Sequence, residues 1–154
     1  MQERAVLHLF YSCGLRRNEG EALNARDVHF AQRLLYVRSG KGAKRRVVPM
    51  PAQVAADLEN YYMQERADHQ ERAFMLNKTG GRMSGQGYQG VLSELLERAG
   101  LPPGTTLHHL RHSIATHLLA SGVSMELLRE FLGHSCLETT QIYAGISRQQ
   151  LLTL

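Results

Sequence analysis

The chain has 154 residues, 43% of them hydrophobic, and its 18 Lys plus Arg against 14 Asp plus Glu give a formal charge of +4. That length is about one domain, able to bury roughly two thirds of the surface its unfolded chain exposes. No apolar run nears the roughly 18 residues of a membrane span and no charged-then-apolar signal segment opens the chain, so a cytoplasmic location is expected. Cys13 and Cys136 form neither a disulfide framework nor a CxxC metal pair, which fits a reducing compartment. The charge is uneven: residues 28–56 hold six basic residues and no acid, whereas residues 57–72 hold five acids and two bases. One face is therefore expected to be positive, as a nucleic-acid binder requires.

Ala5, Val6, Leu9, Phe10 and Cys13 fall at helical spacing and predict a helix over residues 3–14, ended by Gly14. The period then changes. Val28-His29-Phe30, Leu34 to Arg38 and Arg46 to Val48 are β-rich runs, which predict a three-stranded antiparallel sheet with residues 39–44 as the turn of its second hairpin. Pro51 suits the first turn of a helix reaching about residue 67, with Val54, Leu58 and Tyr61 inward. Residues 68–86 contain Gly80, Gly81 and Gly85 with Lys78 and Arg82, and read as a loop that crosses nucleic acid or links helices. Tyr88, Val91, Leu92, Leu95, Leu96 and Ala99 mark an amphipathic helix stopped by Gly100 and Pro102-Pro103. Thr105 or Thr106 caps the next, whose Leu107, Leu110, Ile114 and Leu118 make a buried stripe. His108 and Arg111 share another face near the positive N-terminal end, where they can offer donors to an anion. Ser124 caps a short helix to Leu132, Gly133 ends it, and His134 follows. Ser135-x-x-Glu138 is a capping box for a last helix carrying Tyr143 at or just past its end. The fold class expected is α+β, mainly helical with a small antiparallel sheet.

Three short motifs then stand in order over about forty residues: LHHLRHSIATHLL, LGHS and TTQIY. Together they resemble the catalytic half of the tyrosine recombinases, the phage-integrase family. The resemblance implies catalytic roles for His108, Arg111 and His134, with Tyr143 as nucleophile. LRRNEGEALN resembles the family's first arginine box, which assigns Arg16 and sets Glu19, or the neighbouring Glu21, to orient the arginine. An isolated GLR would instead read as a helix-capping arginine in a solvated turn. Register leaves Arg17 on solvent or the DNA backbone. The family's lysine lies on a β-hairpin in a Gly-Lys-Gly setting, which points to Lys41, with Lys44, Arg45 and Arg46 holding phosphates. His112 and His117 are expected in the core or behind the site, and His109 on the surface. The implied partners are double-stranded DNA at specific sites and other protomers, a tetramer on DNA. No cofactor or metal is implied. Family members usually carry an N-terminal helical core-binding domain, so the chain is expected to be a fragment without it, and Leu151, Leu152 and Leu154 are expected to face another subunit.

The implied chemistry is substitution at a phosphodiester. Tyr143 attacks phosphorus, giving a 3′-phosphotyrosyl bond and a free 5′-hydroxyl. A phenol of pKa about 10 is a weak nucleophile, so it needs a base, for which His108 is the candidate, and an activated phosphate. Two guanidinium forks, Arg16 and Arg111, match charge on the non-bridging oxygens. His134 hydrogen-bonds the same phosphate and Lys41 protonates the leaving oxygen. Three rivals differ in kind. A zinc enzyme could use His108 and His112, an i, i+4 pair, but HExxH is absent and Arg111 would set a cation beside the metal. A catalytically silent DNA-binding module would lack one of the residues above. A type IB topoisomerase has a similar site but relaxes arbitrary supercoiled DNA without paired specific sites.

Overall fold

The computed structural model describes residues 1–38 and 45–133. Helix α1, Gln2–Leu7, runs straight into a wider π-helical turn, His8–Ser12. Ala5, Val6, Leu9, Phe10 and Cys13 are fully buried along this rod, as their spacing predicts. The Cys13 N–H donates to the His8 carbonyl at 2.8 Å, and Gly14 follows at φ +63°. A Cβ at Gly14 would lie 3.0 Å from the Phe131 ring. Both the left-handed backbone and the close approach call for glycine, and they turn the chain sharply into Leu15 and Arg16.

A six-residue helix α2, Arg17–Ala22, and a 3-10 turn, Ala25–Asp27, lead to the sheet. Strands β1 (Val28–His29), β2 (Leu34–Arg38) and β3 (Arg45–Pro49) pair antiparallel in the order β1-β2-β3. Val28 stands opposite Leu35, and Leu35 opposite Val48, so one face carries the buried residues. β1 ends before Phe30 and β3 is one residue longer at each end than the β-rich run suggested. Helix α3, Ala52–Tyr61, continues through a second π-helical turn, Tyr62–Arg66.

The segment from 67 to 84 packs differently from an exposed loop. Ala73, Phe74, Met75 and Leu76 are buried, with Ala73 bridged to Asn24 and Leu76 to Arg82. Its apolar run packs against the end of α3, where Tyr61 meets Phe74 edge-on at 5.6 Å and its hydroxyl accepts the Leu76 N–H at 3.0 Å. Helix α4, Gly85–Arg98, begins three residues before Tyr88 because the Ser84 hydroxyl accepts the Gly87 N–H at 3.1 Å. Tyr88 packs edge-on to Phe10 at 4.9 Å, which ties α4 to the first helical rod.

Helix α5, Leu107–Ala120, has Thr106 as its cap, and His109 accepts the Thr106 N–H at 2.9 Å. Its deeply buried positions are Leu107, Arg111, Ala115, Thr116 and Leu119, while Leu110, Ile114 and Leu118 are half-buried. The inward row is thus rotated about one residue from the expected stripe, and Arg111, placed on another face by its charge, lies in it. Helix α6, Met125–Leu132, ends at Gly133 with φ +71°. Ala115, Leu119, Leu128 and Leu132 form a small second core between α5 and α6. Among the described residues no helix is long and apolar enough to cross a membrane.

Candidate active site

The turn after the first rod places Arg16 at the N-cap of α2. Its backbone N–H donates to Glu19 Oε1 at 2.7 Å, so the carboxylate of the third helical residue closes the first turn. The Arg16 side chain is exposed and lines a cleft of about 560 Å³. Arg17, His108 and Arg111 line the same cleft, together with the N-terminal end of α5. Arg17 pairs with Glu21 at 3.9 Å, and Glu21 also accepts the Gly85 N–H at the start of α4. A Cβ at Gly85 would fall 1.9 Å from Arg17 Nε, so the glycine admits the arginine. Gln89 sets the opposite wall: its Nε2 donates to the Thr105 carbonyl and its Oε1 accepts the Leu107 N–H, each at 3.1 Å. Nothing in the spacing of α4 singles Gln89 out, because its polar side chain reads as solvated until α5 is packed beside it.

Arg111 is 2% exposed. One terminal nitrogen donates to the Gly14 carbonyl and the other to the Leu132 carbonyl, the latter at 2.6 Å. Its Nη1 also stands 3.8 Å from Glu19 Oε1. Three separate segments therefore fix this guanidinium at the back of the cleft. Glu19 serves Arg16 only through the backbone; its carboxylate charge faces Arg46 and Arg111.

Arg46 departs from the outward, phosphate-holding position expected of it. Its Nη1 and Nη2 fork onto the two Glu19 oxygens, the second at 3.1 Å, and its Nε donates to the Phe131 carbonyl at 2.9 Å. Its side chain is 13% exposed. The physical reason is the pleat: Val47 points out and Val48 in, so Arg46, two residues before Val48, shares its inward face and meets the Glu19 carboxylate there.

His108 is exposed at the cleft rim. His112, one turn on, is half-buried, and burial, with His108 and His109 nearby, pushes its pKa down, which favours the neutral ring. His117, expected in the core or behind the site, is exposed and pairs with the Tyr11 hydroxyl at 2.5 Å. It falls outside the inward row 107, 111, 115, 119 of α5, so it faces away from the core that Ala115 and Leu119 enter. Burial pushes the Cys13 thiol up to about 12, so it is a packing residue, not a nucleophile. Lys41, Lys44, His134 and Tyr143 lie outside the described residues, as does the side chain of Arg45.

Arg16, Arg17 and Arg111 bring three guanidinium groups to one cleft, a setting for a phosphate with its oxygens spread over separate forks. The sequence model of the phage integrase family matches residues 1–150. The chain belongs to that family. It is 41% identical over 152 residues to tyrosine recombinase XerD of Mycobacterium tuberculosis strain H37Rv, covering 96% of this chain and 49% of that protein. Tyrosine recombinase XerC of Chlamydia caviae is 40% identical over 149 residues, covering 95% of this chain and 47% of that protein. The chain thus spans about half the length of these relatives. The crystal structure of XerA recombinase matches with a TM-score of 0.83 at 25% identity, covering 99% of this chain and 62% of that one. XerH site-specific recombinase, bound to palindromic difH substrate in a post-cleavage complex, matches with a TM-score of 0.80 at 28% identity over 97% of this chain and 43% of that one.

Proposed function

We propose that this chain is the catalytic part of a site-specific DNA recombinase that cleaves and rejoins DNA strands through a 3′-phosphotyrosyl intermediate. The observation that carries the reading is the convergence of Arg16, His108 and Arg111, from segments ninety residues apart in sequence, on one cationic cleft. In this reading Arg16 and Arg111 hold the non-bridging oxygens and stabilise the charge that builds in the transition state. His108, at the rim, takes the phenolic proton of Tyr143. His134 adds a hydrogen bond to the same phosphate and Lys41 protonates the departing 5′-oxygen. Arg17, Lys44 and Arg45 contact the DNA backbone. The ester to tyrosine conserves the bond energy, so a second strand's hydroxyl reseals it without ATP, and two such exchanges by a tetramer on paired sites recombine DNA. Work on DNA, together with the absence of a membrane-crossing helix among the described residues, supports a cytoplasmic setting.

The test is covalent capture on a pool of nicked duplexes with randomised central sequence. The protein should form a denaturant-stable adduct in the presence of EDTA, with Tyr143 as the linked residue, and Tyr143→Phe should bind the pool and form none. An adduct that persists in the Phe variant would move the nucleophile elsewhere.

A further inference from the structure

Two guanidinium groups compete for one carboxylate behind the cleft, and they share it unequally. Glu19 receives a two-pronged contact from Arg46 and a 3.8 Å approach from Arg111 Nη1, which also donates to the Gly14 carbonyl while Nη2 donates to the Leu132 carbonyl. All three Arg46 nitrogens are engaged, since Nε holds the Phe131 carbonyl. A Cβ at Gly133 would stand 2.8 Å from Arg46 Cδ, so the end of α6 rests on the arginine's stem. Resting on the recombinase reading above, we infer that Arg46 is a positioning residue: it holds Glu19 off Arg111, so that the Arg111 guanidinium stays on the two carbonyls that aim it at the cleft, and its stem braces the end of α6.

The argument is one of geometry. A carboxylate between two guanidiniums goes to the one that offers it a two-pronged contact. The bidentate fork assigns Glu19 to Arg46, and Arg111, which lines the cleft, stays on the Gly14 and Leu132 carbonyls. Remove Arg46 and Glu19, 9% exposed, must find a cation or remain buried and unpaired. The Arg111 guanidinium, 3.8 Å away, is within reach. Glu19 would then draw it from the two carbonyls that aim it. A residue that merely contacts DNA would behave otherwise, since loss of a phosphate contact weakens binding and lowers the salt slope by about 1.

The experiment compares Arg46→Met, Arg46→Lys, Glu19→Gln and the double variant Arg46→Met with Glu19→Gln. Glutamine keeps an oxygen for the Arg16 N–H and removes the charge. On the nicked-duplex pool at saturating protein, Arg46→Met should slow single-turnover adduct formation on the order of 100-fold, the scale of a misplaced catalytic group. Binding and its salt slope should hold. The double variant should recover at least roughly tenfold of that loss, because no carboxylate remains to trap Arg111, and Arg46→Lys should lie between. A double variant as slow as Arg46→Met would leave Arg46 a purely structural role and overturn the inference. A lowered salt slope with an unchanged rate at saturation would overturn it in favour of phosphate contact. A second readout needs no DNA: the Arg111 Nε–H nuclear magnetic resonance signal should shift in Arg46→Met, or in Arg46→Lys should the Met variant not fold, and return in the double variant. If it behaves so while the wild-type protein forms no adduct, the recombinase reading fails and the positioning of Arg111 stands. If it does not move while the wild type cleaves, the positioning fails alone.

Discussion

Two buried arginines, Arg66 and Arg111, do similar hydrogen-bond work in different parts of the molecule. Arg66, 4% exposed, donates to the carbonyls of His69, Glu71 and Ala73, only three to seven residues ahead of it. It closes the end of the α3 rod over the following segment, with its guanidinium 5.8 Å from the Tyr62 ring centre. Arg111 also serves carbonyls, but they lie 97 and 21 residues away, and its charged neighbour Glu19 comes from a third segment. The first is a local staple. The second forms only when the whole domain has closed, and it stands at the back of the cleft. Burial and carbonyl contacts alone therefore do not set Arg111 apart from Arg66; the long range of its partners and a carboxylate beside it do.

The sharpest way to break that comparison is Arg111→Lys. An ammonium keeps the charge and can reach one carbonyl, but it cannot hold two carbonyls and offer a fork to a phosphate. Adduct formation should fall on the order of 1000-fold, about 4 kcal/mol of transition-state stabilisation, while the fold survives. A rate within a few-fold of wild type would remove Arg111 from the reaction. Next in size is Arg66→Met, which leaves three carbonyls without their donor and should cost roughly 3 kcal/mol of stability. Amide hydrogen exchange should quicken in residues 67–84 first, and the rate per folded molecule should not change. An equal loss of rate would mean that the local staple and the distant node are coupled after all.

Much of this contrast was legible in the sequence, and the missing part has a common cause. Apolar periodicity placed the helices that became α1 with its π turn, α3, α4 and α5, the Ser124 cap and Gly133 stop placed α6, and the change to period two placed the sheet. It passed over α2, whose six residues hold less than two turns, and over the burial of Ala73 to Leu76, which glycines and charges on both sides disguised as loop. Arg16, His108 and Arg111 were found by motif and do share a cleft. The depth of Arg111 was missed because counting only apolar residues on α5 skips the row 107, 111, 115, 119, in which a charged residue is interior. Arg46 and Gln89 were missed as partners for another reason. A long polar side chain can lie along its own element or reach across to another, and the choice is made by neighbours distant in sequence. Adjacent residues carry no record of it.

The smallest effect tests whether long range by itself is enough to matter to the chemistry. His8 Nε2 and Asp57 Oδ2 meet at 2.8 Å across 49 residues, joining the π turn after α1 to α3, and His8 Nδ1 meets the Ser12 hydroxyl at 3.0 Å. None of these groups lines the cationic cleft. The His8 hydrogen bond, helped by Gln53 and Arg4 against the opposing effect of burial, holds the Asp57 carboxyl below its ordinary 3.8. A carboxyl depressed in the folded state binds its proton less readily there than when unfolded. The stability it contributes is therefore complete above about pH 4 to 5 and drains away as pH falls through the depressed folded value. For a pair at the edge of solvent the contribution is roughly 1 kcal/mol or less. Asp57→Asn should lower the urea midpoint slightly at neutral pH, and the gap to wild type should close on acidification below about pH 4. Adduct formation should be untouched at any pH where both proteins are folded. Parallel acid limbs for the two proteins would mean that Asp57 titrates normally in the fold; a slowed adduct would mean that a long-range pair outside the cleft reaches the chemistry, and that position at the cleft is not what distinguishes Arg111.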